Sequence, residues 1–252
     1  MLPLNHYFDI KQKHCSIEEY FAVTKPTSLS FEISSCCLVD GFRAYQALHY
    51  QGRLRPGNTL LICNATSAFG VICAQLAKSW GIKVFTTAAN EDDAQTLRSM
   101  SLEVERTLTG HQYLRNMIKD ETGGLGIDCI VDDGVLPNSA PDTTNHKFEM
   151  PMKHDVISSL AIAGRWVTSQ HDLQLDPPDS EILHFKTASV CHLFPDALLL
   201  STYKQNEVIH ILDDVLDKAS EGILRPHFMS VIPASDLNVN IFPTNHRIVL
   251  KL

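Results

Sequence analysis

The sequence contains no long apolar run, and this absence restricts where the protein can reside. Its longest unbroken apolar stretches are only a few residues, as at positions 197–200, whereas a helix that spans a bilayer needs about 20. The first 15 residues also lack an apolar run long enough for the core of a signal peptide. We therefore expect a cytoplasmic protein that does not insert into a membrane.

Positive charge is scarce. The chain has 252 residues, of which 29 are Asp or Glu and 21 are Lys or Arg, and its formal net charge is −8. A protein that binds nucleic acid or an anionic bilayer by itself needs a positive face. The composition therefore argues against direct binding to either.

Several signatures of catalysis and metal binding are missing. The seven cysteines are an odd number and form no C-x-x-C pair, which argues against a disulfide framework and a zinc ribbon. The twelve histidines include no H-E-x-x-H, and neither G-x-S-x-G nor a G-K-[ST] loop occurs. We expect no zinc site, no serine hydrolase and no P-loop nucleotide site.

Short apolar runs alternate with helical patterns through most of the chain. The periodicity predicts strands at 59–63, 83–87, 103–107, 127–131, 165–168, 187–193 and 247–250, and helices at 33–50, 69–80, 92–100, 111–121, 152–162 and 207–219. Strands that alternate with helices of this length indicate βαβ units and a parallel sheet covered on both faces. The predicted fold class is α/β with a doubly wound parallel sheet.

Glycine is rare where a dinucleotide-binding protein would need it. The turn after the first strand, residues 64–70, has Gly70 as its one glycine, against three in G-x-G-x-x-G. Two interpretations stay open. The small residues of the turn could still admit a phosphate at the helix N-terminus, or the turn could only pack the helix against the strand.

The end of the second strand also lacks the residues that select a cofactor. No acid stands at positions 86–90 to hold the ribose of NAD, and no Lys or Arg follows to receive the 2′-phosphate of NADP. Instead Glu91, Asp92 and Asp93 come next, which would repel a phosphate. This pattern counts against a tight site for either cofactor.

Other polar residues lie at positions where function is common in α/β proteins. Asp132 and Asp133 follow the fourth strand, at the edge where such sheets bind ligands, and either contact a ligand or cap the turn. His154 and Asp155 open a helix, and we interpret them as a solvated cap rather than a catalytic pair.

Longer segments resemble the zinc-free medium-chain dehydrogenase/reductase family, in its quinone oxidoreductase-like (zeta-crystallin-like) branch. The resemblance covers about residue 18 to the C-terminus. It is carried by residues 40–48 (DGFRAYQAL), 54–57 (LRPG), 65–70 (ATSAFG), 75–78 (QLAK), 121–128 (ETGGLGID), 164–168 (GRWVT) and 173–180 (LQLDPPDS).

The resemblance implies a Rossmann-type domain and a cofactor. It divides the chain into 1–30, a remnant of a GroES-like β domain, 31–225, the Rossmann-like domain, and 226–252, a return to the remnant. Most of the GroES-like domain of the family would precede this chain. The implied cofactor is NADP(H), which would contact residues of the turn, the second strand and the fourth strand: Ser67, Ala68, Phe69, Gly70, Thr87 and Asp133.

Departures from the family pattern weaken the implied site. Active relatives have a Thr beside the nicotinamide where this chain has Arg43, a glycine pair where it has Ser67 and Ala68, and a Lys where it has Asp93. We therefore expect NADP(H) binding to be weak or lost. Two hypotheses follow: an active NADPH-dependent quinone oxidoreductase, or a cofactor-poor Rossmann domain without catalytic residues that serves as an interaction module.

The resemblance also implies partners. A member of the quinone oxidoreductase-like branch is a subunit of the endosomal FERRY assembly, a Rab-effector complex that connects messenger RNA to early endosomes. We expect this chain to act in such a complex at early endosomes, with RNA bound by other subunits. The predicted strand from Thr187 to Leu193 resembles the edge strand through which family members dimerise, so we expect a homodimer or hetero-complex through that edge.

Overall fold

The structure is a computed structural model that describes residues 22–63, 65–88, 90–100, 102, 104–109, 114–132, 151–201, 203–227, 229–233 and 247–251. Its central sheet contains β1 (Thr59–Ile62), β2 (Lys83–Ala88), β3 (Arg106–Thr109), β4 (Ile127–Asp132), β5 (Leu160–Thr168) and β6 (Ser189–His192). The order is β3-β2-β1-β4-β5-β6, and all neighbouring pairs are parallel. The α/β prediction with a doubly wound sheet is confirmed, since this is the Rossmann order.

Helices cover both faces of this sheet. They are α1 (Phe31–Tyr45), α2 (Ala68–Ser79), α3 (Glu91–Ser99), α4 (Leu114–Glu121), α5 (Lys153–Ser159), α6 (Pro177–Phe185), α7 (Asp196–Leu199) and α8 (Gln205–Ser220). Because successive strand side chains point to opposite faces, Leu60 and Ile62 join the core beneath α1, α2, α3 and α8, whereas Leu61 joins the core beneath α4, α5 and α6.

Side-chain caps set where α1 and α3 begin. Ser30 accepts a hydrogen bond from the Ile33 amide at the start of α1, and Asn90 accepts one from the Asp93 amide at the start of α3. Each cap satisfies an amide that has no partner within its helix. The predicted helix 33–50 is present, but its last part, Gln46–Gln51, is a π-helical turn that continues α1.

The prediction of a helix over 152–162 is wrong at its C-terminal end. Helix α5 stops at Ser159, and Leu160 has extended backbone angles (φ −64°, ψ 143°) that start β5. The Nζ atom of Lys186 donates to the carbonyl oxygens of Ser158 and Leu160, 2.6 Å away in each case, which satisfies groups at the end of the helix. Tertiary hydrogen bonds thus override the helical propensity of this apolar segment.

Three further elements, α6, β3 and β6, differ from the sequence prediction. Helix α6 was not predicted, because Pro177 and Pro178 indicate a break; in the structure they occupy the first turn of α6, where proline needs no amide partner. Strand β3 begins at Arg106 rather than 103, and β6 covers only the middle of the predicted strand 187–193.

A second, smaller sheet pairs β7 (Met229–Pro233) with β8 (Arg247–Lys251) in parallel. The prediction named only the later strand, at 247–250. The predicted division into a GroES-like remnant (1–30), a Rossmann-like domain (31–225) and a return to the remnant (226–252) stays a prediction. Residues 1–21 lie outside the described part. Among the residues that are described, no helix has the length and apolarity needed to cross a bilayer.

Candidate dinucleotide site

The candidate dinucleotide site lies at the carboxyl ends of β1 and β4, where the strand order reverses. Parallel α/β sheets bind ligands in the crevice at this point. The turn from β1 to α2 brings together the predicted residues Ser67, Ala68, Phe69 and Gly70. All of them are buried, and Phe69 is only 4% exposed.

Packing within the turn accounts for its serine and its glycine. Ser67 caps α2, since its Oγ accepts a hydrogen bond from the Gly70 amide over 2.9 Å. A Cβ atom on Gly70 would lie 2.8 Å from the Cα of Ala65, so only glycine lets the helix approach the turn this closely. The Ala65 amide donates to the carbonyl oxygen of Thr87 over 3.1 Å, which ties the turn to β2.

The side chain of Arg43 crosses the carboxyl edge of the sheet beside this turn. Its Cζ atom lies 4.0 Å from the centre of the Phe69 ring, a cation–π contact. Its Nη2 atom donates to the Oγ of Ser169, directly after β5, over 2.7 Å. The guanidinium therefore bridges the first residues of α2 and the end of β5, two structures that border the cofactor crevice of this fold.

Two amides at the start of α2 keep the potential to bind an anion. In the described part of the chain, the N–H groups of Ala68 and Phe69 have no hydrogen-bond acceptor. Unpaired amides and the helix dipole together attract phosphate groups. The turn thus retains part of the chemistry of a dinucleotide site, although its residues are buried.

The end of β2 presents negative charge. Thr87 is fully buried, and Asn90 leads into the acidic first turn of α3, which consists of Glu91, Asp92 and Asp93. Hydrogen bonds from Arg98 (2.6 Å) and Thr109 (3.2 Å) keep the pKa of Glu91 below its usual value. An ionised acidic cluster at this end of β2 would repel a 2′-phosphate.

Asp132 holds the sheet together at the carboxyl end of β4. It is 2% exposed and accepts hydrogen bonds from Trp166 Nε1 and from Thr168 Oγ1, the latter over 2.7 Å. The sequence left open whether this residue contacts a ligand or caps the turn; these bonds from side chains of β5 show instead that it joins two neighbouring strands. Asp133 lies outside the described residues, so its predicted cofactor contact stays a prediction.

A buried ionic cluster that the sequence did not indicate joins α5 to α6. Lys153 Nζ lies 2.9 Å from Asp179 Oδ2, and His154 Nδ1 lies 3.2 Å from Asp179 Oδ1. Burial by itself would raise the pKa of Asp179, but hydrogen bonds from Lys153 and His154 lower it below its usual value. His154 thus pairs with α6 rather than capping α5, and its side chain is 39% exposed.

No group of three potential metal ligands comes together in the part of the chain that is described. The absence of zinc stays a prediction. The buried cysteines fit the role of small apolar side chains, because burial, with smaller effects from Cys36 and Asp40, raises the pKa of Cys37 to about 12, which keeps it a neutral thiol.

Comparison with known proteins identifies relatives over most of the chain. No protein-family model matches it. Quinone oxidoreductase-like protein 1 of Mus musculus is 38% identical over 228 residues, which are 89% of this chain and 66% of that protein. A zinc-type alcohol dehydrogenase-like protein of Staphylococcus epidermidis is 27% identical over 88% of this chain and 63% of its own length. The chain therefore spans about two thirds of the length of these relatives.

Solved structures share the fold. A mycobacterial quinone oxidoreductase has a TM-score of 0.64 and 18% identity over 83% of this chain and 59% of its own. A putative NADPH:quinone reductase from Bacillus thuringiensis has a TM-score of 0.66 and 17% identity over 85% and 60%. These structures show the shared Rossmann fold. The 38% identity to the mouse protein shows that this chain belongs to the medium-chain dehydrogenase/reductase family, in its quinone oxidoreductase-like branch.

Proposed function

We propose that this chain is a quinone oxidoreductase-like protein with a degenerate NADP(H) site that serves as a non-catalytic subunit of a larger complex. The observation that carries the proposal is the bridge from Phe69 through Arg43 to Ser169. It places a guanidinium over the turn that would receive the pyrophosphate. A dinucleotide would have to displace this side chain and break its hydrogen bond to Ser169.

Electrostatics at the adenosine end support the same conclusion. The first turn of α3 offers Glu91, Asp92 and Asp93 where an NADP-binding protein offers a cation. Hydride transfer to a quinone depends on a bound nicotinamide cofactor in a closed, dry cleft. A chain that binds NADP(H) poorly cannot supply the first of these requirements.

The test is a titration of the purified protein with NADPH and with NADH, by calorimetry. We expect no saturable binding by the wild type at millimolar cofactor. The double variant R43T/D93K removes the bridge and reverses one charge, so we expect it to bind NADPH measurably. The exposed substitution K119Q on α4 serves as the control. Micromolar binding of NADPH by the wild type would refute the degenerate site.

An active NADPH-dependent quinone oxidoreductase is the second candidate. The amides of Ala68 and Phe69, which have no acceptor among the described residues, favour it, as does the positive charge of Arg43, because all three could meet a pyrophosphate. This hypothesis requires micromolar NADPH binding by the wild type and reduction of a quinone at the expense of NADPH. Binding without reduction would assign the chain a cofactor but no independent catalysis.

The edge of the main sheet supports assembly into a complex. Strand β6 pairs with β5 on one side, and no described strand pairs with its other side. Phe185 and Phe194, just before and just after this edge, are 73% and 52% exposed. An open strand edge flanked by exposed aromatic rings is a typical surface for strand pairing between chains.

Light scattering tests this interface. We expect a dimer through the strand between Thr187 and Leu193, and we expect the double variant F185E/F194E to shift it towards monomer. The control is F31E, because Phe31 is 79% exposed at the start of α1 and belongs to neither β6 nor its flanking segments. A wild type that is monomeric at micromolar concentration and recovers no partner from cell extract would contradict the proposal.

We further propose that the complex is an endosomal Rab-effector assembly of the FERRY type, in which other subunits bind messenger RNA. The family resemblance and the net charge of −8 support this assignment. The tagged chain should co-purify with early endosomes and with the subunits of that assembly. A purely diffuse cytoplasmic distribution without those subunits would contradict it.

A further inference from the structure

A cleft of about 590 Å³ opens at the end of the molecule opposite the dinucleotide turn. It lies between the second half of α2, the residues Met100, Leu102 and Val104 before β3, and residues 222–227. Helix α2 ends just before β2 begins, and the segment that contains Met100 leads into β3. The cleft therefore lies at the amino ends of the strands. We propose that this cleft binds a carboxylate that carries a short apolar chain.

The size of the cleft favours a small molecule. Small-molecule sites in proteins measure about 300–1,000 Å³, and this cleft falls within that range. Its position also separates it from the crevice at the carboxyl ends of β1 and β4. The proposed ligand is therefore not the dinucleotide or the quinone of the family reaction, and the inference does not depend on the proposed function.

One wall of the cleft is apolar. Met100 and Leu102 line it from the segment before β3, and Ile223 lines it from the segment after α8. Met100 and Leu102 also pack against the main hydrophobic core, whereas Ile223 is 37% exposed. An alkyl chain laid along this wall would remove apolar surface of both partners from water, which is favourable.

The charged residues that line the cleft, Lys78 and Arg225, are cationic, and no Asp or Glu lines it among the described residues. This is unusual for a protein with 29 acids and 21 Lys or Arg. Glu105, which does not line the cleft, forms an ion pair with Lys78, and its Oε1 lies 3.9 Å from Lys78 Nζ, beyond hydrogen-bonding distance. The local charge therefore selects an anion.

Hydrogen bonds hold the guanidinium of Arg225 in place. The side chain of Gln75 bonds both backbone groups of Arg225, accepting from its amide over 2.8 Å and donating to its carbonyl over 3.1 Å. Arg225 Nε donates to the Gly222 carbonyl over 2.9 Å. No other bond of this guanidinium occurs in the described part of the chain, so its two Nη groups can meet a carboxylate as a bidentate pair.

His227 is held in the same segment. Its Nδ1 lies 2.9 Å from the Arg225 carbonyl oxygen. Because a carbonyl oxygen can only accept, Nδ1 carries the proton. The cationic side of the cleft is thus built on a backbone that α2 anchors through Gln75, and the apolar side lies across from it.

The test is a titration with sodium octanoate. Binding is measured by calorimetry and by the NMR chemical shifts of the backbone amides of residues 74–79 and 222–227. The uncharged comparison ligand is 1-octanol, and acetate tests the carboxylate without the chain. We expect octanoate to bind at least tenfold more tightly than either. Each of K78Q and R225Q should weaken octanoate binding about tenfold, since a charge-assisted hydrogen bond is lost.

The control is K119Q, which removes an exposed lysine from the opposite face of the sheet and should leave octanoate binding unchanged. Thermal unfolding verifies that all variants remain folded. Equal binding of octanoate and octanol, shifts confined to other residues, or binding that is insensitive to K78Q and R225Q would each overturn the proposal. Capture of an acidic peptide by the cleft, with no binding of octanoate, would also overturn it and assign the cleft to a protein partner.

Discussion

Removal of the Asp132 carboxylate should destabilise the sheet strongly. In Asp132→Ala the donors Trp166 Nε1 and Thr168 Oγ1 both lose their acceptor, and the side chains of both residues are fully buried. An unsatisfied buried donor costs about 1–3 kcal/mol. We therefore expect the free energy of unfolding to fall by about 2–6 kcal/mol.

Asp132→Asn distinguishes the loss of hydrogen bonds from the loss of packing. The amide oxygen can accept from Trp166, and the amide nitrogen can donate to the hydroxyl oxygen of Thr168, so both groups keep a partner. The cost of this variant should be less than half that of Asp132→Ala. Urea unfolding followed by circular dichroism measures both values, and the near-ultraviolet signal of Trp166 reports on the local change.

The matched control is Asp120→Ala, because Asp120 is exposed on α4. We expect it to change the free energy of unfolding by no more than about 0.5 kcal/mol. If Asp132→Ala also changed it by less than 1 kcal/mol, as an order-of-magnitude limit, the structural role of Asp132 would be refuted. The residue would then be available for a ligand.

Two further predictions concern the turn and the ionic cluster. Gly70→Ala should lower the free energy of unfolding by about 1–3 kcal/mol, because its Cβ would lie 2.8 Å from the Cα of Ala65; a change below 0.5 kcal/mol in urea unfolding, taken as the size of an ordinary surface effect, would contradict this. Asp179→Asn should lower the free energy of unfolding by about 3 kcal/mol at neutral pH, because the buried Lys153 loses a charged partner. The pKa of Asp179 is lowered on folding, so its stabilising effect is present above about pH 4 and is lost as the pH falls through the folded pKa. The difference between wild type and Asp179→Asn should therefore shrink below about pH 4 in unfolding measured from pH 7 to 3, and a difference constant with pH would be contrary evidence.

Local patterns identified the fold and the position of the candidate site. Apolar runs such as 59–63 and 127–131 are buried on both faces because they form central parallel strands. The capping residues Ser67 and Asn90 are also local signals, since a cap bonds an amide three residues away. These features depend on neighbouring residues, and a single sequence therefore contains enough information to predict them.

Contacts between distant segments could not be predicted in the same way. Arg43 and Ser169 are 126 residues apart, and Lys153 and Asp179 are 26 apart on two helices. Nothing in the periodicity of either segment indicates its partner. The family resemblance suggested a weakened site at Arg43, but only the tertiary structure shows that its guanidinium bridges Phe69 and Ser169.

The sequence by itself therefore determined the α/β class, the place of the β1–α2 turn and the acidic start of α3. The reason is that the burial pattern and helix capping both depend on residues only a few positions apart in the chain. The tertiary structure decided where α5 ends, what Asp132 binds and how the turn is covered. These outcomes depend on side chains that approach from other elements, such as Lys186, Thr168 and Arg43, and their positions follow from packing rather than from sequence spacing.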